Sequence, residues 1–149
     1  MTIAELPALI VPSSEVLDDL PVAVIGAGPI GLAAAAHLLE RDVDVVVVEA
    51  GPTVGTAVKA WGHTRLFSPW EYLVDAAGGR LLDTVGWHAP DAHKLPFGSE
   101  LVAEYLLPLA ATPELSPRIR YGSSVTDVVR QGMDSTRSTG RATTPFLLR

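Results

Sequence analysis

The stretch Val22-Ala23-Val24-Ile25-Gly26-Ala27-Gly28-Pro29-Ile30-Gly31 decides the fold. Four apolar residues run into three glycines at G-x-G-x-x-G spacing, and an Ala/Leu-rich segment, Leu32–Leu39, follows. A charged turn, Glu40-Arg41-Asp42, then leads to a second apolar run, Val43–Val48, which ends on Glu49. The pattern changes from strand to helix to strand, so it reads as a βαβ unit with buried parallel strands. Seventeen residues lie between Gly31 and Glu49, about the distance at which an acid meets the ribose of a dinucleotide.

Each residue type in the turn has a physical reason to be there. Gly26 permits the tight turn from strand to helix. Gly28 lacks a Cβ, so the backbone can come within contact distance of a diphosphate, and Gly31 lets the helix lie close to the sheet. Pro29 falls at about the first helical position, where a missing N–H costs nothing. The helix N-terminus offers free N–H groups and a partial positive charge to phosphates. Because Pro29 donates nothing, Gly28 and Ile30 are the donor candidates. Glu49 can accept hydrogen bonds from both ribose hydroxyls. A 2′-phosphate would meet its carboxylate, so the site favours FAD or NAD over NADP. The glycine spacing alone is a weak signal; the strand before it, the helix after it and the acid together favour a dinucleotide site over an ordinary glycine turn.

The rest of the composition narrows the class. With 149 residues, 48% of them apolar and 19% charged, the chain suits one globular domain. A net charge of −6 without a basic cluster argues against nucleic acid or an anionic membrane as partner. The longest apolar runs are far too short for a membrane span. Residues 1–20 carry Glu5, Glu15, Asp18 and Asp19 but no Lys or Arg, unlike a secretory signal, so a cytoplasmic location is expected. The absence of cysteine removes disulfides, thiolate metal sites and cysteine nucleophiles together. His37, His63, His88 and His93 are scattered without carboxylates at ligand spacing, so no metal site is expected.

Outward from the motif, residues 1–20 read as a polar, Pro-containing extension and residues 21–149 as a partial FAD/NAD(P)-binding domain. Ala50–Phe97 is rich in Gly, Pro, Trp, His and Arg and has no long period, apart from short helical pieces near Trp70–Ala77. So long an irregular stretch is uncommon unless it carries function. Ser99 is a reasonable N-cap for a helix whose Leu101, Val102, Tyr105, Leu106 and Leu109 share one face. Pro108 is expected to kink or end that helix near Leu107. Ile119–Tyr121 and Ser124–Arg130 read as short strands, Gln131–Thr144 as a polar hairpin tip, and Phe146–Leu148 as the start of another strand.

Val22–Glu49 followed by Gly51 resembles the N-terminal FAD-binding segment of two-dinucleotide-domain flavoproteins. That group includes flavin-containing and Baeyer–Villiger monooxygenases, amine N-hydroxylases and pyridine-nucleotide-disulfide reductases. The resemblance implies an α/β, Rossmann-like FAD-binding parallel sheet with a long insertion and the start of a β-hairpin. It implies FAD at Gly26, Gly28, Pro29, Ile30, Gly31, Glu49 and Ala50, and NADPH or NADH at a second site outside this chain. Val125 matches a position whose backbone touches adenine in the family; a plain core valine is the other reading. In the insertion, Arg65 reads either as a partner for a cofactor phosphate or substrate, or as a surface charge. Trp61 and Trp70 read either as walls of the isoalloxazine or as core aromatics.

The lack of a cysteine pair soon after Glu49 argues against the glutathione-reductase branch, and the segment Ser99–Leu107 looks more like the monooxygenase branch. No second glycine motif and no general acid–base set is visible, so the chain is expected to be the amino-terminal part of a longer NAD(P)H-dependent flavin oxidoreductase acting on a small organic substrate. Alone it is expected to bind FAD poorly and to turn over nothing. An NAD-dependent dehydrogenase domain and a non-catalytic nucleotide-binding fragment are the competing readings.

Overall fold

The structure is a computed structural model that describes Leu17, residues 19–136 and residues 138–149. The expected polar extension over residues 1–20 lies outside these, apart from Leu17, Asp19 and Leu20. The described residues fall into two compact units, Pro21–Val125 and one that contains Thr126–Arg149.

The first unit opens with β1 (Val22–Ile25), α1 (Pro29–Leu39) and β2 (Val45–Val48), the βαβ unit expected from the apolar pattern. The insertion contains α2 (Thr56–Ala60), a 3-10 turn at Trp70–Tyr72 and α3 (Ala76–Thr84). Next come α4 (Gly98–Glu100), a π-helical stretch Leu101–Leu106, α5 (Leu107–Ala110) and β3 (Ile119–Arg120). The strands form a parallel sheet in the order β1-β2-β3, with Ile25 opposite Val48 and Val48 opposite Arg120. This is an α/β, Rossmann-like arrangement with the crossover helix α1 packed on the sheet.

Burial separates the strands. The central strand β2 hides Val45 and Val47, as a strand covered on both faces should. β1, expected to be buried, is paired on one side only among the described residues, and Val22 and Ile25 remain 42% and 57% exposed. From α1, Leu32, Ala35 and Ala36 are fully buried; their small size lets the helix lie on the sheet. Leu101, Val102, Tyr105, Leu106 and Leu109 join the same core, the helical face expected from their spacing. Each fully buried Leu or Val contributes roughly 1.5–3 kcal/mol.

Two expectations for the helix are corrected. It begins at Gly98 rather than Ser99: the Phe97 N–H donates to Glu100 Oε2 at 2.7 Å, so the carboxylate caps the turn. Of the two outcomes expected at Pro108, the end near Leu107 does not occur, because the helix continues through Pro108 to Ala110, though its pattern changes there from π to α. Pro108 has no N–H for the carbonyl of Glu104, four residues back. The Trp87 indole Nε1–H donates to that carbonyl at 2.9 Å instead. The π-helical stretch just before Pro108 already departs from the regular ladder, so the proline falls where the pattern changes.

α3 is tied to α1 by polar groups. Asp75 caps it, accepting from the N–H groups of Ala77 and Gly78 at 2.9 and 3.1 Å, and His37 Nε2 lies 3.1 Å from Asp75 Oδ2. Arg80 bonds Glu40 through two nitrogens at 2.6 and 2.9 Å. The Asp75 N–H in turn donates to the Tyr105 hydroxyl at 3.1 Å.

In the second unit β4 (Val128–Arg130) and β5 (Phe146–Leu148) pair antiparallel, with a 3-10 turn at Arg141–Thr143 between them. The expected strand over Ser124–Arg130 is thus confined to its last three residues. Thr126 and Asp127 continue the pairing irregularly: both of their N–H groups converge on the Arg149 carbonyl, at 2.6 and 3.3 Å, while the Arg149 N–H donates to the Asp127 carbonyl at 3.0 Å.

Candidate functional site

The loops at the carboxyl ends of β1, β2 and β3 converge, which is where open parallel sheets hold ligands. Gly26 leaves β1 with φ of +99°, a left-handed conformation that favours glycine, while its N–H still donates to the Val48 carbonyl at 2.7 Å. Ala27 is fully buried and anchored twice. Its N–H donates to Glu49 Oε2 at 2.7 Å, and its carbonyl accepts from the Gly55 N–H at 3.0 Å.

Gly28 and Gly31 differ in what a side chain would meet. A Cβ on Gly31 would lie 1.9 Å from the Gly26 carbonyl oxygen, so the crossing of helix and turn requires glycine there. A Cβ on Gly28 would meet no atom of the described residues within 4 Å, and its φ of −87° is open to any residue. The first helical hydrogen bond runs from the Leu32 N–H to the Gly28 carbonyl at 3.0 Å. Ile30 and Gly31 precede that bond, so their N–H groups have no helical carbonyl within reach and are available to a ligand. Pro29 takes the first position, as expected.

Glu49 bridges the turn and its own loop. Its Oε2 holds Ala27, and its Oε1 accepts from the Gly51 N–H at 2.7 Å. Each carboxylate oxygen retains a further lone pair for a hydroxyl. The chain after β3 closes over the same loop: Gly122 donates to the Gly51 carbonyl at 3.0 Å and Ser123 to the Glu49 carbonyl at 2.9 Å. Burial, and then the charge of Glu49, push the nearby Tyr121 phenol above its ordinary pKa.

A cleft of about 350 Å³ lies between the glycine turn and α2. Ile25, Gly26, Gly28, Pro29, Ile30 and Gly31 line one side, and Glu49 with Gly55–Val58 the other. Six of the sequence-derived site residues therefore meet: Gly26, Gly28, Pro29, Ile30, Gly31 and Glu49. The remaining three do not line it. Ala50 is exposed on the loop beside Glu49, and Val125 is half-buried two residues beyond Ser123. Arg65 pairs with Phe97 in a short antiparallel bridge, its guanidinium 4.5 Å from the Phe97 ring centre and its Nη1 donating to the Leu95 carbonyl at 3.4 Å. Of the two tryptophans, Trp70 is a core residue at 1% exposure, whereas Trp61 stays 40% exposed.

The α2 wall is the part that sequence reading missed. Its signal was Gly55, which has φ of +65° at the helix entrance and packs against Val102 and Leu106, where a Cβ would stand 3.1 Å from each. A β-branched or bulky residue fits neither the turn nor the space.

Several solved structures share this fold. OTEMO in complex with FAD and NADP matches with a TM-score of 0.56 and 23% identity over 76% of this chain and 20% of that one. The oxidized steroid monooxygenase bound to NADP gives a TM-score of 0.56 and 25% identity over 72% of this chain and 20% of that one. The bacillithiol disulfide reductase Bdr from Staphylococcus aureus gives 0.56 and 20% identity over 73% and 30%. The chain thus spans between 20% and 30% of the length of these structures. No curated protein sequence matches it. The family model for FAD dependent oxidoreductases matches residues 21–141, which include the glycine turn, Glu49 and the Tyr121 loop. The chain belongs to the FAD dependent oxidoreductase family.

Proposed function

We propose that this chain is the FAD-binding amino-terminal part of an NAD(P)H-dependent flavin oxidoreductase of the monooxygenase-like kind. NADPH or NADH would occupy a second site outside residues 1–149, and the substrate would be a small organic molecule. The observation that carries the reading is the open position of Gly28 beside the Ile30 and Gly31 N–H groups. None of the described residues fills that space, and a pyrophosphate needs a backbone it can approach together with unpaired donors. The solved structures of similar fold that carry FAD and NADP, among them a steroid monooxygenase bound to NADP, support the same assignment.

The roles follow from the residues. The Gly28, Ile30 and Gly31 N–H groups hold the pyrophosphate, with Pro29 fixing the backbone that aims them. Glu49 accepts from the ribose hydroxyls through the lone pairs that Ala27 and Gly51 leave free. Ala50 flanks that acid, and the Val125 backbone lies toward the base. Arg65 is assigned to the substrate side of the insertion rather than to the pyrophosphate, since it does not line the cleft. When bound, the flavin supplies the electron chemistry, and these residues bind and orient it. The chain alone is expected to turn over nothing.

Titration of the 149-residue chain with FAD, followed by flavin fluorescence, tests this. Weak but saturable binding, with no oxidation of NADPH, is the expected result. Displacement of FAD by NAD at lower concentration would favour a dehydrogenase domain instead, and no saturable binding of either dinucleotide would overturn the reading.

A further inference from the structure

Gly51 and Thr56 interlock. A Cβ on Gly51 would stand 2.1 Å from Thr56 Oγ1, 2.5 Å from its Cβ and 2.8 Å from its Cγ2, so the threonine side chain fills the place of a side chain at residue 51. Gly51 is not among the glycines with positive φ, so the packing of Thr56, rather than a backbone turn, asks for glycine here. The threonine is itself held: its hydroxyl donates to the Thr53 carbonyl at 2.6 Å. Three residues further along α2, Lys59 Nζ donates to the Thr53 hydroxyl at 2.6 Å. Two side chains of α2 thus grip the loop that follows Glu49.

What Gly51 holds is the acid. Its N–H donates to Glu49 Oε1 at 2.7 Å, while the other carboxylate oxygen is held separately, by the Ala27 N–H at 2.7 Å. The last torsion of a glutamate is broad and roughly two-fold, so a carboxylate anchored through one oxygen still turns. Two anchors fix its plane, and with it the direction of the lone pairs that remain free. Whether Glu49 keeps its second anchor depends on where the Gly51 backbone sits, and Thr56 sets that place.

Resting on the dinucleotide reading above, we infer that Thr56 is a positioning residue for the ribose contact. Its side chain wedges Gly51 against the acid, Gly51 fixes the Glu49 carboxylate, and Glu49 then discriminates for a nucleotide that carries ribose hydroxyls. The hydroxyl bond from Thr56 to Thr53 keeps the wedge in its rotamer, so a valine of the same shape does not replace it. The phosphates lie at the glycine turn, which Ala27 and Gly55 tie to α2 through backbone groups that Thr56 does not touch. The effect of Thr56 is therefore carried by the sugar.

The test uses the complete chain and two probes: ADP, and 2′,3′-dideoxy-ADP, which lacks both ribose hydroxyls. The parent is expected to prefer ADP. T56V is expected to weaken ADP about fivefold and dideoxy-ADP by less than about twofold, so the preference narrows. T56S, which keeps the hydroxyl, stays within about twofold of the parent for both. In ligand-free T56V the Gly51 amide proton, read by NMR, is expected to shift as its bond to Glu49 loosens. Should T56V fail to fold, T56A carries the same expectation. Equal weakening of both probes is what a purely structural threonine gives, and it would overturn this inference while leaving the dinucleotide reading standing. A parent that binds both probes equally would overturn it too, since Glu49 then does not read the sugar. Failure of the folded parent chain to bind ADP at all would overturn both readings.

Discussion

A side-chain carbon on Gly31 would stand 1.9 Å from the carbonyl oxygen of Gly26, the closest approach at any glycine of the turn. Gly28, three residues earlier, has open space around it. Glycine is therefore required at Gly31 by the protein itself, whereas at Gly28 only the proposed ligand gives a reason for it. Gly31→Ala is expected to lower stability by about 3 kcal/mol, because backbone rather than a flexible side chain must move. Gly28→Ala should stay within about 1 kcal/mol of the parent in thermal melting and yet lose about tenfold or more in FAD affinity. Equal FAD affinity in Gly28→Ala and the parent would remove the ligand argument for that glycine.

Glu49 bonds two backbone N–H groups, one from the turn and one from its own loop. Glu49→Gln keeps one acceptor oxygen but sets an amide NH₂ against the other N–H. A loss of about 1–3 kcal/mol follows, together with weaker binding of any ribose-bearing ligand. Denaturant unfolding and ADP titration measure the two effects separately.

The βαβ unit was legible because its information is local. Val22–Ile25, the glycines and the acid each require their neighbours only; α1 and β2 fell where the spacing put them, and six of the candidate residues line one cleft. What the sequence concealed depends on partners distant along the chain. α3 carries Gly78 and Gly79, poor helix formers, and holds together through the Asp75 cap and the packing of Tyr105 on Gly78. Pro108 looked like a stop because nothing nearby announces that Trp87, 17 positions removed from Glu104, supplies the missing donor. β1 looked buried because its residues are apolar, yet exposure depends on which strands sit beside it.

Asp75 gives the fold an acid-sensitive cap. Burial works against its charge, but the Gly78 N–H, His37 and the Ala77 N–H outweigh that and hold its carboxyl below the ordinary value of 3.8. A depressed folded pKa means the stabilisation is fully present above 3.8 and is lost as the pH falls through the lower folded value. Melting temperatures measured from about pH 5 to pH 2 should therefore fall more steeply for the parent than for Asp75→Asn. At neutral pH the variant should be about 1 kcal/mol less stable through loss of the cap. Identical slopes would remove Asp75 from the acid response.

Trp87 and Pro108 should prove energetically coupled. Trp87→Phe keeps an aromatic ring beside Tyr105, 6.1 Å away between centres, but removes the donor to the Glu104 carbonyl. A cost of about 1–3 kcal/mol is expected. Pro108→Ala restores a backbone N–H at the position four residues beyond Glu104. In that background the same Trp87 substitution should cost less than half as much, as a double-mutant cycle would read. Additive effects would show that the indole is not replacing the proline's missing bond.

The bridging of Ala27 and Gly51 by one carboxylate has a kinetic side. A turn already tied down by its own acid has less backbone freedom to lose when a ligand arrives. For the proposed pyrophosphate ligand, the net charge of −6 predicts a long-range repulsion that opposes arrival. Added salt screens that repulsion, so the rate of FAD capture is expected to rise with ionic strength, as stopped-flow mixing at two salt concentrations would read.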